Sequence, residues 1–210
     1  MTIVAEKPTR SARKPKGEGH ARRAEILEAA ERIFVECGYE GATIRKIAED
    51  VGVSSTALYM HFRDKSEILL EICRQAFDTL FALNSEVLAT ELPPLAKARR
   101  MTSDYMRFGL ENPNAYRLVF CTRPQEASHG AEDVAQELGG RLFDRFTATV
   151  AAAYEAGQIR LQPKVAAQTL WAGAHGLVAL MITKPYFDWA DREQLTETML
   201  DTLFEGLAKA

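Results

Sequence analysis

Cysteine is scarce in this chain. Three stand in 210 residues, Cys37, Cys73 and Cys121, and no two form a CxxC pair. That excludes a disulfide framework, points to a reducing compartment, and leaves all three to be read as small core hydrophobes. Histidine is sparse too. His20, His61, His129 and His175 lie far apart, so no metal-ligand spacing arises and no metal site is expected. A glycine-rich phosphate loop, a G-x-S-x-G elbow and an H-E-x-x-H helix are all missing, so nothing supports catalysis or a cofactor. The first residues hold no apolar h-region and no cleavage site, and no secretory signal is expected. One stretch, the nineteen residues between Lys164 and Lys184, lacks a full charge and is just long enough to span a bilayer. It includes Gln168, Thr169, His175 and Thr183 and is rich in Ala and Gly, which reads as a buried helix rather than a membrane span.

What remains is an ordinary soluble composition, 47% apolar and 26% charged, in a length suited to one domain or two small ones. The net charge of −3 hides an asymmetry. Residues 1–23 carry seven Lys/Arg against two acids, a net of +5, and the remainder is −8. A basic arm on an acidic body fits nucleic-acid contact, and it equally fits a solvated tail.

Along the chain, residues 1–18 are polar, basic and hold two prolines, which predicts a disordered arm. Ile26, Ala30, Ile33, Phe34 and Cys37 then keep helical spacing up to a stop at Gly38. Ile44, Ile47, Ala48 and Val51 mark a short second helix with Thr43 as its N-cap, and Gly52 makes a turn. Ser54 or Ser55 caps a third helix carrying Leu58, Tyr59 and Phe62. Asp64 and Glu67 form a D-x-x-E capping box that opens a long fourth helix, running to about Thr90 and stopped by Pro93–Pro94.

Further helices are predicted over 95–110, 113–121 and 132–156, with a loop at 122–130 and a possible bend at Gly139–Gly140. Pro163 opens the next, which ends before Pro185, and the last starts near Asp191. No strand alternation and no internal repeat is visible. The predicted fold is all-α with about nine helices: a three-helix N-terminal domain over 19–65 and a helical domain over 66–210.

Thr43–Phe62 holds two short helices separated by a turn at Gly52, a helix-turn-helix pattern. In such a motif the first helix crosses the DNA backbone and holds the second in the major groove. Small polar side chains at the start of the second helix let it enter and present hydroxyls to base edges or phosphates. The same periodicity also fits any two short helices joined by a glycine turn.

Residues 21–69 resemble the DNA-binding domain of TetR-family transcriptional regulators. The resemblance is carried by Phe34, Gly38-Tyr39, Thr43-Ile44, Ile47-Ala48, Gly52-Val53-Ser54, Leu58-Tyr59, His61-Phe62, Lys65 and Leu69, and most of all by the run TALYMHFRDKSEILL. It implies that Thr43 meets a phosphate and that Ser54, Ser55 and Thr56 lead the recognition helix into the groove. It also implies that Tyr59 and His61 touch the backbone and that Lys65 supports the contact from the fourth helix. Arg45 is a candidate base or phosphate contact. Thr56 stands where many relatives have Gly, which bears on the operator sequence and not on the fold. Tyr59 as a packing residue and His61 as a helix-end hydrogen bonder are the plain alternatives.

Glu111–Phe120 and Leu170–Leu180 resemble the regulatory-domain subclass with a Trp, His and Gly on the penultimate helix, here Trp171, His175 and Gly176. That resemblance implies a homodimer paired through the last two helices; Ala167, Gly173 and Ala174 allow the close approach this needs, and equally fit a tightly packed monomer core. Tyr105, Phe108, Tyr116, Phe120, Phe143, Phe146, Trp171 and His175 form an aromatic cluster that would line a ligand cavity or make an ordinary core. Together these readings predict a cytoplasmic, ligand-responsive regulator. It binds a palindromic double-stranded operator as a homodimer, represses, and is released by a small hydrophobic or amphipathic effector. The rival reading is an all-helical small-molecule-binding protein or enzyme without sequence-specific DNA binding. An architectural DNA coat is disfavoured by 14 basic against 19 acidic side chains over residues 66–210.

Overall fold

A computed structural model describes residues 19–121 and 131–208. The predicted basic arm over 1–18 and the 122–130 loop lie outside the described residues. Among the described residues the chain forms nine α-helices and one π-helical turn; the β-structure there is a single antiparallel bridge between Ile159 and Ala208.

Helix α1 spans Gly19–Gly41, broken by Gly38 at φ +69, where a side chain would be strained. Helix α2 spans Ile44–Val51. The Thr43 hydroxyl accepts from the Lys46 N–H at its start, and Gly52, left-handed at φ +73, closes its end on the Ala48 and Glu49 carbonyls. Helix α3 is five residues, Ser55–Tyr59, and its cap is Ser54, whose Oγ accepts from the Ala57 N–H at 3.1 Å. Asp64 accepts from the Glu67 N–H at 2.8 Å and starts α4, Lys65–Leu88. Glu67 completes the box one residue further out than expected, accepting from the Arg63 N–H at 2.6 Å.

Helix α4 ends at Leu88, short of the predicted Thr90. The prolines do not stop it. Pro93 and Pro94 begin α5, Pro94–Glu111, because the first turn of a helix has no use for the missing N–H. The predicted 113–121 helix divides into α6, Pro113–Tyr116, and a π-helical turn, Arg117–Cys121. Helix α7, Ala131–Glu155, runs unbroken through Gly139–Gly140. Helix α8, Pro163–Thr183, opens at Pro163, and α9, Arg192–Leu207, is capped by Asp191.

Two cores follow. The first joins Ile26, Ala30, Phe34, Ile47, Leu58 and Phe62 to Ile68, Leu69, Ile72 and Cys73 of α4. The second joins Ala76 and Leu80 of α4 to α5, α7, α8 and α9, around Met106, Tyr116, Val150, Leu170, Val178 and Leu200. One continuous helix therefore belongs to both. Only Cys73 is a core thiol; Cys37, the last residue before the break at Gly38, and Cys121, the last of the π-helical turn, are exposed. Burial pushes the Cys73 thiol up to about 11.

Helix α8 is long and apolar enough to cross a membrane by length and composition, and it is the buried helix expected only on one face. Ala166, Ala167, Leu170, Ala174, Leu177 and Val178 face inward, while Val165, Trp171 and Leu180 are exposed. The small residues therefore do not serve an outer seam. Ala167 and Ala174 lie inside this chain's own core, and a Cβ at Gly173 would stand 2.9 Å from Leu203 of α9.

Candidate functional site

The two-helix segment presents one outward stripe. Leu58 and Phe62 point into the core, and Thr56, Tyr59 and Met60, spaced i, i+3 and i+4, point out. Tyr59 is 55% exposed and Met60 83%. Met60 drew no attention in the sequence, where it reads as one apolar residue among others. Thr43, Ser54 and Arg45 are also exposed, and Ser55 and His61 are half-buried. The Thr43 and Ser54 hydroxyls act as helix caps, and Arg45 pairs with Glu49 of its own helix at 2.8 Å.

Lys65 has a structural position. Its ammonium donates to the Tyr39 carbonyl at 2.7 Å, lies 4.2 Å from the centre of the Tyr39 ring, and pairs with Glu40 at 3.7 Å. It thus ties the start of α4 to the end of α1. Arg23 does the same for the end of α3. It donates to the His61 carbonyl at 2.8 Å, stacks 4.0 Å over Phe62, and reaches Glu71 at 3.4 Å. Arg32 bridges α1 to Asp50 of α2 at 2.7 Å. The stripe is held by cation clamps behind it, and its own outer side chains are left free of the core.

Farther along α4 lies a partly open cavity of about 380 Å³ between α4, α5, α7 and α8. Five of the eight aromatic-cluster residues line it: Tyr105, Phe120, Phe143, Phe146 and Trp171. Phe108 does not, being turned into the second core. Tyr116 and His175 stand behind the wall. The Tyr116 hydroxyl lies 2.8 Å from the Tyr105 hydroxyl and 2.7 Å from His175 Nδ1, and the Trp171 indole N–H donates to Tyr105 at 3.3 Å. Burial pushes the Tyr105 phenol up to about 12, raises that of Tyr116 further, and lowers His175, so all three are neutral near pH 7.

Sequence reading missed the contribution of α4 to this wall. Phe77, Leu80 and Asn84 face the cavity at i, i+3 and i+7, and the available signal was an asparagine interrupting an otherwise apolar stripe. Met101, Thr102 and Val119 were missed as well. Among the described residues no cluster of His, Cys, Asp and Glu is arranged to hold a metal.

Residues 26–72 match the model of the bacterial regulatory proteins of the tetR family, and residues 98–203 match that of the tetracyclin repressor-like C-terminal domain. The chain is 52% identical over 54 residues to the HTH-type transcriptional repressor AcnR of Corynebacterium diphtheriae, covering 26% of this chain and 28% of that one. It is 32% identical over 111 residues to the HTH-type transcriptional activator FasR of Mycolicibacterium smegmatis, covering 51% of each. The chain thus spans between about a quarter and a half of the length of these curated relatives.

Among solved structures, the TetR-family regulator PfmR of Thermus thermophilus superposes with a TM-score of 0.73 at 25% identity, over 90% of this chain and 98% of that one. The ketosteroid regulator KstR2 of Mycobacterium tuberculosis shares the fold at a TM-score of 0.76 and 23% identity, over 90% and 96%. An N-terminal three-helix head with an exposed stripe on its third helix, a helical body and both family matches lead to one conclusion: the chain belongs to the tetR family of bacterial transcriptional regulators.

Proposed function

We propose that this regulator is a cytoplasmic homodimer that represses transcription from a palindromic operator and is released by a small hydrophobic or amphipathic effector. The head, residues 19–65, carries the DNA contacts, and residues 66–210 carry the effector site and the dimer seam. The observation that carries the reading is α4. Its first half is built into the core of the head and its second half forms a wall of the cavity. A rigid element shared by two sites lets occupancy of one bias the placement of the other.

On the DNA side, Ser54, Ser55 and Thr56 lead α3 into the major groove, and Thr43, Tyr59 and His61 meet phosphates. Arg45 reaches a base or phosphate at the cost of its exposed Glu49 pair. Lys65 supports them from behind, and its proposed phosphate contact shares the ammonium with the α1 carbonyls. The arm over residues 1–18 adds sequence-independent affinity. The exposed Val165 and Leu180 of α8, with α9 beside it, form the seam with a second copy; two heads are what a palindrome requires.

The test is selection of bound fragments from a genomic library by the purified full chain at two salt concentrations. One enriched palindrome, lost with Tyr59→Ala and bound less tightly as salt rises, is the expected result. Equal retention of random and genomic DNA would overturn it.

A further inference from the structure

The described residues around the cavity include no Asp, Glu, Lys, Arg or His. Its polar lining consists of Asn84, Thr102, Tyr105, Gln136 and the Trp171 indole. Most of these are already engaged. Thr102 donates to the Ala98 carbonyl at 2.9 Å, Tyr105 is held between Trp171 and Tyr116, and Gln136 has a partner of its own.

Asn84 differs. It is only 7% exposed, it lies one turn beyond Leu80 on the cavity face of α4, and its amide makes no hydrogen bond to any described residue. An amide turned to the cavity with no described protein partner depends on what fills the cavity for its hydrogen bonds, and costs free energy where the contents supply none. An apolar residue would continue the stripe of Phe77 and Leu80 without that cost. The amide can donate and accept at once, and it carries no charge. A carboxylate or phosphate brought into these surroundings would lose its hydration and gain no counter-charge.

Resting on the ligand-cavity reading above, we propose that Asn84 is the specificity-determining contact for the effector and that the part of the effector inside the cavity is uncharged. That part is an apolar body carrying one hydrogen-bonding group of the amide, ketone or hydroxyl kind. A free carboxylate or phosphate is rejected. The cavity is at the small end of the range for small-molecule sites, which suits a single short-chain or compact molecule.

The experiment uses the full chain carrying Trp189→Phe, so that Trp171 on the cavity wall is the one indole left. Its fluorescence is titrated with four probes of matched length: octanamide, nonan-2-one, nonane and octanoate. Octanamide and nonan-2-one are expected to bind about tenfold tighter than nonane, as one recovered buried hydrogen bond implies. Octanoate is expected to bind at least about tenfold more weakly than octanamide. Asn84→Leu, checked for helix content by circular dichroism, removes the advantage of octanamide over nonane and leaves nonane binding equal or tighter.

Octanoate binding as tightly as octanamide overturns the proposal. So does an unchanged amide-to-alkane ratio in Asn84→Leu, and so does binding of none of the four. The ranking in the Trp189→Phe parent decides the matter even where Asn84→Leu fails to fold. Operator binding is read separately by the genomic selection, so failure of this inference and failure of the regulator reading are distinguished.

Discussion

The Tyr116 hydroxyl stands 2.7 Å from His175 Nδ1, joining α6 to α8 behind the cavity wall. The indole of Trp171 can only donate, and His175 Nδ1 lies 2.7 Å from the Tyr116 hydroxyl against 3.4 Å from that of Tyr105, so the direction that uses every O–H over the shorter contacts runs from Trp171 to Tyr105, to Tyr116, to His175. His175 is then the neutral tautomer with its proton on Nε2. Tyr116→Phe would remove the shorter of the two hydroxyl contacts at Nδ1, leaving Tyr105 at 3.4 Å, and break the chain in the middle. The expected loss is about 1–3 kcal/mol of stability, read as a lower midpoint in urea. An unchanged midpoint would mean that the chain contributes nothing net.

The pH dependence of this pair has a fixed sign. Burial lowers the folded-state pKa of His175, so its contribution is complete above the ordinary histidine value of about 6.5 and is lost as pH falls below it. Unfolding midpoints measured across that window should decline toward acid in the wild type. They should decline less in His175→Gln, and equal slopes in the two would refute the assignment.

The start of α4 gives a second acid-sensitive point. The Ser66 hydroxyl and the Glu67 N–H hold the Asp64 carboxyl below its ordinary value, and the Arg63 N–H does the same for Glu67. Both contributions are present above about pH 4 and fade as pH falls through the lowered folded values. Asp64→Ala should cost about 1 kcal/mol at neutral pH, as loss of an N-cap usually does. Asp64→Asn should recover most of that, and thermal melts of the three proteins check both statements.

Two glycines should respond in opposite directions to the same change. A Cβ at Gly109 would lie 2.5 Å from Val178 and 2.7 Å from Tyr116, both inside the second core. Gly109→Ala is therefore expected to destabilise by about 1–3 kcal/mol through overpacking. Gly140 is in the middle of α7 with nothing within 4 Å of an added Cβ. Gly140→Ala should stabilise by about 0.4–1 kcal/mol by restricting the unfolded chain. Chemical denaturation of both variants tests the pair.

The proposed seam makes a prediction about assembly. Leu180 is half exposed on the outward side of α8 and belongs to neither core. Leu180→Glu should leave helix content and melting of the isolated chain nearly unchanged while shifting sedimentation from dimer to monomer. It should also weaken operator binding. A dimer that persists in Leu180→Glu would place the seam elsewhere.

Much of this molecule was legible before any coordinates. Helix positions, the caps at Thr43, Ser54 and Asp64, and the turns at Gly38 and Gly52 follow from spacing and local hydrogen bonding, which are properties of a few consecutive residues. The exposed stripe of α3 follows from the same periodicity once Leu58 and Phe62 are turned inward.

What lay beyond reach depended on which helices meet. Periodicity does not tell that Ala167, Gly173 and Ala174 serve this chain's own core, because a small residue fits any close approach. Nor does it tell which aromatic residues share a wall. Tyr105 and Trp171 reach the cavity while Tyr116 and His175 stand behind it, a division set by the packing of α4, α5, α7 and α8 around one another. Asn84 is the plainest case. Its place on a helix is legible from periodicity, and only the tertiary structure turned its amide to the edge of a cavity, where a polar group without a protein partner acquires a meaning.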